Sequence, residues 1–293
     1  MCYVHRLSLL RRRFSCPCRP AAIAVCIAGI FLGCSTRADE PAASFSPGQR
    51  PVSIFSTDEL RLLGDDTKSI LTSPVSWDRR DWLEAGILTA TIVGSSSLDH
   101  GTRIIAQRNR TRSLDSFSKQ FEKLGAEYSF VVLAGFEVTS LLDDDNVRTH
   151  AVVVDGLSSS LIASGIITPV LKYSVGRVRS NSTYATYRFK PFSSNASFPS
   201  GHATQAFAVA SVIAADYPEW WVQVVAYGAA GVVGLARIEQ NAHFMSDVVA
   251  GAIIGTVVGR AVVARHNKAM PHAMTVAPMI DGRQVGLVCS YDW

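Results

Sequence analysis

Three separated segments bring cations and histidines together in patterns that point to one anion. In the first, Lys172-Tyr173-Ser174-Val175-Gly176-Arg177-Val178-Arg179, Lys172 and Arg179 stand seven apart and return to nearly the same face of a helix. Two cations at the end of an apolar segment want an anionic partner, although a solvated helix end has the same look. The second is Phe198-Pro199-Ser200-Gly201-His202, followed by the helix-forming run Ala203 to Ala210. Ser200 sits at an N-cap position and Gly201 lets backbone approach a ligand. Free N–H groups and the positive helix end then make an anion site with His202 at its rim. A capped helix with a surface histidine is the plainer alternative. In the third segment Arg237 precedes His243 and Asp247. The last two are four apart, so on a helix the carboxylate reaches the imidazole Nδ1–H and leaves Nε2 free as a nucleophile. That is the orienting half of a triad, with phosphorus in place of an acyl carbon. Such a pair alone is more often structural, and the signal comes from the combination.

Together the segments resemble the type 2 phosphatidic acid phosphatase superfamily, which includes bacterial acid phosphatases and lipid phosphatases and shares its site with vanadium haloperoxidases. The pattern K-x6-R-P, P-S-G-H and S-R-x5-H-x3-D appears here as Lys172 to Arg179, Pro199 to His202, and Arg237, His243 and Asp247. Ser180 replaces the family's proline and Ala236 its common serine; neither position supplies a required charge. The resemblance covers about residues 82–266. It implies that Lys172, Arg179 and Arg237, with the Ser200 hydroxyl and the Gly201 N–H, hold the non-bridging phosphate oxygens. It further implies that His243 attacks with Asp247 orienting it, that His202 protonates the leaving alkoxide, and that water hydrolyses the phosphohistidine. With three cations around the phosphate no metal is required. The sequence also has no HExxH motif and no Cys/His ligand spacing, so neither metal nor cofactor is expected.

The elements that must position these residues read as all-α. Six helical stretches are predicted, at 82–98, 115–142 with a break near Gly125, 147–175, 201–215, 220–236 and 244–266, forming a bundle of the acid phosphatase and vanadium haloperoxidase type. A short amphipathic helix over 57–70 precedes them. In the tail, Asp281-Gly282 between two apolar runs signals a β-hairpin. The division is 1–38 leader, 39–80 linker and N-terminal amphipathic segment, 81–268 helical domain and 269–293 hairpin tail. Internal charges such as Glu84, Glu127, Glu137, Asp155 and Arg260 favour a bundle outside the bilayer, because a central Asp or Arg costs about 2.5–3.5 kcal/mol on insertion scales. Trp77 and Trp82 beside Arg79 and Arg80 either rest on a membrane surface or cap the core.

Arg6, Arg11, Arg12, Arg13 and Arg19 precede an apolar run from Ala21 to Gly33, the layout of an export signal. Without these five, Lys+Arg falls from 28 to 23 against 24 Asp+Glu. The basic balance is therefore no sign of nucleic-acid binding. Five of six cysteines lie in or beside this leader, which leaves Cys289 without an intramolecular partner. Cys34 resembles a lipoprotein cleavage site; cleavage after Ala38 and an uncleaved anchor are the alternatives. The expected location is the periplasm or its membrane face. His100, His150, His266 and His272 are assigned to surface or packing, and Asp143 to Asp145 to a solvated loop. Tyr184, Tyr187, Phe189, Phe192 and Phe198, beside Arg188 and Lys190, either admit a lipid tail under a phosphate head or pack a lid. The expected substrate is a lipid phosphate or polyprenyl diphosphate, with a soluble acid phosphatase of broad specificity as the alternative. A vanadium haloperoxidase and a non-catalytic envelope protein stand further back.

Overall fold

The computed structural model describes residues 57–293 apart from 126, 143–146, 184, 270–273, 282–283 and 292–293. The leader, Cys34, the linker residues 39–56, the Asp143–Asp145 run, Tyr184 and His272 lie outside the described residues. In chain order the helices are α1 (Thr57–Thr72), α2 (Arg79–Ser95), α3 (Asp99–Arg108), α4 (Arg112–Glu122), α5 (Glu127–Leu142), α6 (Val147–Ser160), α7 (Thr168–Val175), α8 (Gly201–Asp216), α9 (Trp220–Glu239) and α10 (Met245–Ala269). At the C-terminal end β1 (Met274–Asp281) and β2 (Gln284–Tyr291) pair antiparallel, with Asp281 opposite Gln284.

The all-α body stands, and the break between α4 and α5 falls at Gly125 as the sequence suggests. Two differences have physical causes. The stretch 147–175 is continuous, but Leu161–Ile167 is wound as a π-helix. Pro169 in α7 lacks an N–H and its ring crowds the carbonyl four residues back, and widening the preceding turn relieves both problems. Helix α3, DHGTRIIAQR, is absent from the sequence reading because its few apolar residues carry no sustained periodicity.

The centre of the bundle is α8, whose Ala- and Val-rich sequence is buried on nearly every side. It packs on α10 through glycines at i, i+4 and i+8. A Cβ at Gly251 would lie 2.6 Å from the Ser200 carbonyl oxygen, one at Gly255 2.3 Å from that of Thr204, and one at Gly259 2.8 Å from that of Ala208. Only hydrogen fits, so the two backbones touch as in small-xxx-small helix pairs. This contact brings the start of α8 beside the first turn of α10, where the Ser200 N–H donates to the Asp247 carbonyl at 2.9 Å. Leu133, Val152, Val209, Val212 and Val263 pack around one end of the pair. Ile162, Ala163, Ala208, Val258 and Val262 pack on its other flank.

Among the described residues, three helices are long and apolar enough to cross a membrane: Arg148–Val175, Trp220–Glu239 and Met245–Asn267. The expectation of a bundle outside the bilayer counted internal charges as if each stood alone. Instead, Glu137 lies 3.3 Å from His150 and Asp155 is bonded to His266, both within the bundle. Outward faces are rich in apolar groups, among them Leu83, Ile87, Val131, Leu141, Trp220 and Val224. An exposed apolar surface of this extent marks contact with a membrane or partner.

Candidate active site

Helix α7 ends at Gly176, which adopts the left-handed conformation (φ 58°) and donates its N–H to the Lys172 carbonyl at 2.9 Å. A Cβ at Gly176 would stand 1.8 Å from the Lys190 carbonyl oxygen. Arg179 is therefore not on the helical face of Lys172; the chain leaves the helix at Gly176 and Arg177 bridges to Phe189. Both cations still face one place, because His202 feels Arg237, His243, Lys172 and Arg179 together. All three site segments thus converge. Burial first, and then these charges, push the His202 pKa down to about 4. Of the three cations Arg179 is exposed, whereas Arg237 is buried and donates to the Gln240 side-chain carbonyl at 3.0 Å.

Ser200 holds the N-cap position of α8, but its hydroxyl does not cap the helix. The hydroxyl is fully buried and has no hydrogen-bond partner among the described residues. Such a group costs about 1–3 kcal/mol unless a ligand satisfies it, and it sits at a helix N-terminus where anions bind. Lys172 Nζ lies 3.4 Å from where a Cβ on Gly201 would stand. Glycine at that position therefore leaves the ammonium its place.

His243 is buried, two residues before α10, and its Nδ1–H donates to the Ser197 carbonyl at 2.7 Å. That bond leaves the lone pair on Nε2, and burial keeps the ring pKa below its ordinary value, so the neutral form prevails. The four-residue spacing predicts that Asp247 accepts directly from Nδ1–H. In the structure the Asp247 carboxylate stands 3.7 Å away, beyond hydrogen-bond range, because His243 lies in the turn before the helix. Asp247 instead accepts from the Phe244 N–H at 3.0 Å, closing the helix start as an N3 acid does. It also accepts from Ser197 Oγ at 2.6 Å.

Four residues that hold this corner, Arg177, Asp99, Ser246 and Ser197, are not among the residues that define the three motifs. Arg177 donates through Nη1 to Asp247 Oδ1 at 2.6 Å and to Ser246 Oγ at 2.7 Å, and through Nη2 to Asp99 Oδ2 at 2.7 Å. Asp99 in turn accepts from the Ser246 N–H at 2.8 Å. Arg177 lies inside the first motif and Ser197 just before the second, and their charge and polarity were the available signal. Ser180, standing where the family has proline, donates to the Asn241 carbonyl at 2.7 Å. It thereby ties the loop of Arg179 to the loop of His243, a bond that proline cannot make. Among the described residues, no group of three or more His, Cys, Asp or Glu side chains is placed to hold a metal ion.

Residues 156–271 match the family model of the PAP2 superfamily, and the resemblance carried by the three motifs is borne out. Among curated proteins, the lipid A 1-phosphatase of Porphyromonas gingivalis is 37% identical over 109 residues, which are 36% of this chain and 22% of that protein. The lipid A 1-phosphatase of Rhizobium etli is 36% identical over 104 residues, 34% of this chain and 44% of that protein. The matches span less than half the length of these relatives. Among solved structures, a transmembrane PAP2 type phosphatidylglycerolphosphate phosphatase from Bacillus subtilis shares the fold. Its TM-score is 0.50 at 22% identity, covering 64% of this chain and 95% of that one.

Proposed function

We propose that the protein is a membrane-embedded, metal-independent phosphatase that removes phosphate from a phosphorylated lipid. The observation carrying the lipid reading is an apolar cavity of about 600 Å³ between α5, α8 and α9. Ser129, Ala206, Ala210, Ile213, Val225 and Val233 are among its lining residues. Ala206 is one helical turn from His202 and Val233 one turn from Arg237, so both walls carry site residues just beyond the cavity's end. Gly125 closes that junction: a Cβ there would meet the Val233 side chain at 2.5 Å and the His202 carbonyl at 2.8 Å. Since His202 serves the leaving group, the apolar portion of that group enters the cavity. The relatives named lipid A 1-phosphatase make lipid A the first candidate. In this reading the three apolar helices span the bilayer, with the site on the periplasmic side. Tyr187, Phe189 and Phe198 line a smaller cavity with Arg177.

In the proposed reaction Lys172, Arg179 and Arg237, with the Ser200 hydroxyl and the Gly201 N–H, hold the three non-bridging oxygens. Their charge stabilises the transferring phosphoryl group without a metal. His243 Nε2 forms the P–N bond as the P–O bond to the leaving group breaks, and His202 gives that oxygen its proton. Water then attacks phosphorus with His202 as base, which releases inorganic phosphate and restores both rings. Phosphate release is measured with EDTA present, from vesicles doped with a long-chain lipid phosphate and from a short soluble ester. Ala229→Trp, which fills the cavity from an exposed lining position, is expected to lose most lipid turnover and keep that on the soluble ester. Equal activities of the variant and parent on both esters would refute the lipid assignment. Activity that vanishes with EDTA and returns with a divalent metal would refute the metal-free mechanism.

A further inference from the structure

Neither Asp99 nor Arg177 belongs to the phosphate cage, yet both are buried charges joined to it. Buried ions are tolerated when paired and fully hydrogen-bonded, and this chain of contacts is directional. Asp99 holds Arg177 at 2.7 Å, and Arg177 holds Asp247 at 2.6 Å. Asp247 holds the Ser197 hydroxyl at 2.6 Å, and the Ser197 carbonyl holds His243 Nδ1 at 2.7 Å. Asp99 also grips the first turn of α10 through both the N–H and the hydroxyl of Ser246, at 2.8 and 2.7 Å. Arg177 keeps two further supports, the Thr186 carbonyl at 2.6 Å and the face of Phe244 at 4.2 Å. Losing Asp99 alone therefore loosens the chain of contacts without expelling the guanidinium.

We propose that Asp99 is a positioning residue for His243, acting through Arg177, Ser246 and Asp247 to fix the ring whose Nε2 meets phosphorus. The proposal rests on the phosphohistidine reading above. Asp99 lies on α3, outside the segment 156–271 matched by the family, so a helix beyond the three motifs takes part in aligning the nucleophile. In-line attack tolerates little displacement, and a shift of about 1 Å costs about 10²-fold in rate.

The test uses the full chain and compares the parent with Asp99→Asn, Asp247→Asn and the double variant. Readouts are turnover of p-nitrophenyl phosphate and inhibition by orthovanadate and by inorganic phosphate. Asp99→Asn is expected to lower kcat by about 10²-fold with KM little changed. It should weaken vanadate, which needs the aligned His243 as its fifth ligand, far more than phosphate. The double variant should be no slower than Asp247→Asn alone, as expected for residues acting along one path. Unchanged kcat, equal weakening of vanadate and phosphate, or multiplying losses in the double variant would overturn the proposal alone. A parent without turnover would overturn the phosphatase reading and the proposal with it. Should Asp99→Asn fail to fold, Ser246→Ala carries the test. It removes one hold on α10 and leaves the Asp99–Arg177 pair, so a smaller kcat loss with the same vanadate selectivity is expected; no change would overturn the proposal.

Discussion

Sulfate binding between pH 5 and 6 is expected to draw a proton onto His202. Its pKa is pushed from 6.5 to about 4, first by burial and then by Arg237, His243, Lys172 and Arg179. At neutral pH an empty site therefore holds His202 deprotonated, and an acid role requires the bound anion to restore the proton. The displacement corresponds to about 3 kcal/mol between the two protonation states. A dianion among these cations cancels the charge contribution, adds attraction for the proton and leaves only the effect of burial. Sulfate keeps its double charge throughout this range, so proton exchange on binding reports the protein. Titration calorimetry at pH 5 in two buffers of different ionisation enthalpy should show uptake on the order of half a proton or more per sulfate. His202→Ala should abolish it. No uptake in the parent, or equal uptake in the variant, would refute the coupling between cage and acid. The stability sign follows from the same shift. Between pH 4 and 6.5 the unfolded chain carries this proton and the empty folded chain does not. The His202 contribution to stability thus rises with pH across that window and is lost as pH falls towards 4.

His202→Ala should lose about 10²- to 10⁴-fold on an alkyl phosphate and much less on p-nitrophenyl phosphate, whose leaving group needs no proton; equal losses, with chemistry rate-limiting, would mean that His202 chiefly binds phosphate. Ser180→Ala removes the hydroxyl bond to Asn241 and is expected to cost about 1 kcal/mol, read as a lowered Tm, while an unchanged Tm would show that the bond contributes nothing. Gly201→Ala places a methyl 3.4 Å from Lys172 Nζ, so inhibition by phosphate should weaken with the fold intact by circular dichroism.

The site was legible where chemistry fixes residue type at short range. Three cations, two histidines and a serine at a helix start suggest a phosphate site only in combination, since each segment taken alone also reads as an ordinary helix end or structural pair. What the sequence hid depends on long-range closure or on one residue's backbone. Asp99 and Arg177 are 78 positions apart, and only the meeting of the start of α3 with the segment that follows α7 makes them a pair. Gly176 turns the chain out of the helix, so the seven-residue spacing of Lys172 and Arg179 has a meaning other than a shared helical face. The four-residue spacing of His243 and Asp247 suggests direct contact, but the helix begins between them and the Ser197 carbonyl accepts from the imidazole Nδ1–H. Membrane character was obscured because counting charges along a helix does not reveal that Glu137 pairs with His150, and Asp155 with His266, across helices.

The central claim is that phosphorus passes through His243, and trapping the intermediate tests it most directly. Protein mixed with a labelled phosphate ester, quenched in alkali within milliseconds and mapped by mass spectrometry should carry an acid-labile phosphoryl group on His243. The group should be absent from His243→Ala and should accumulate when the water step is slowed by His202→Ala with an aryl ester. Phosphate turnover that persists in His243→Ala, or a phosphoryl group mapped to another residue, would contradict the account.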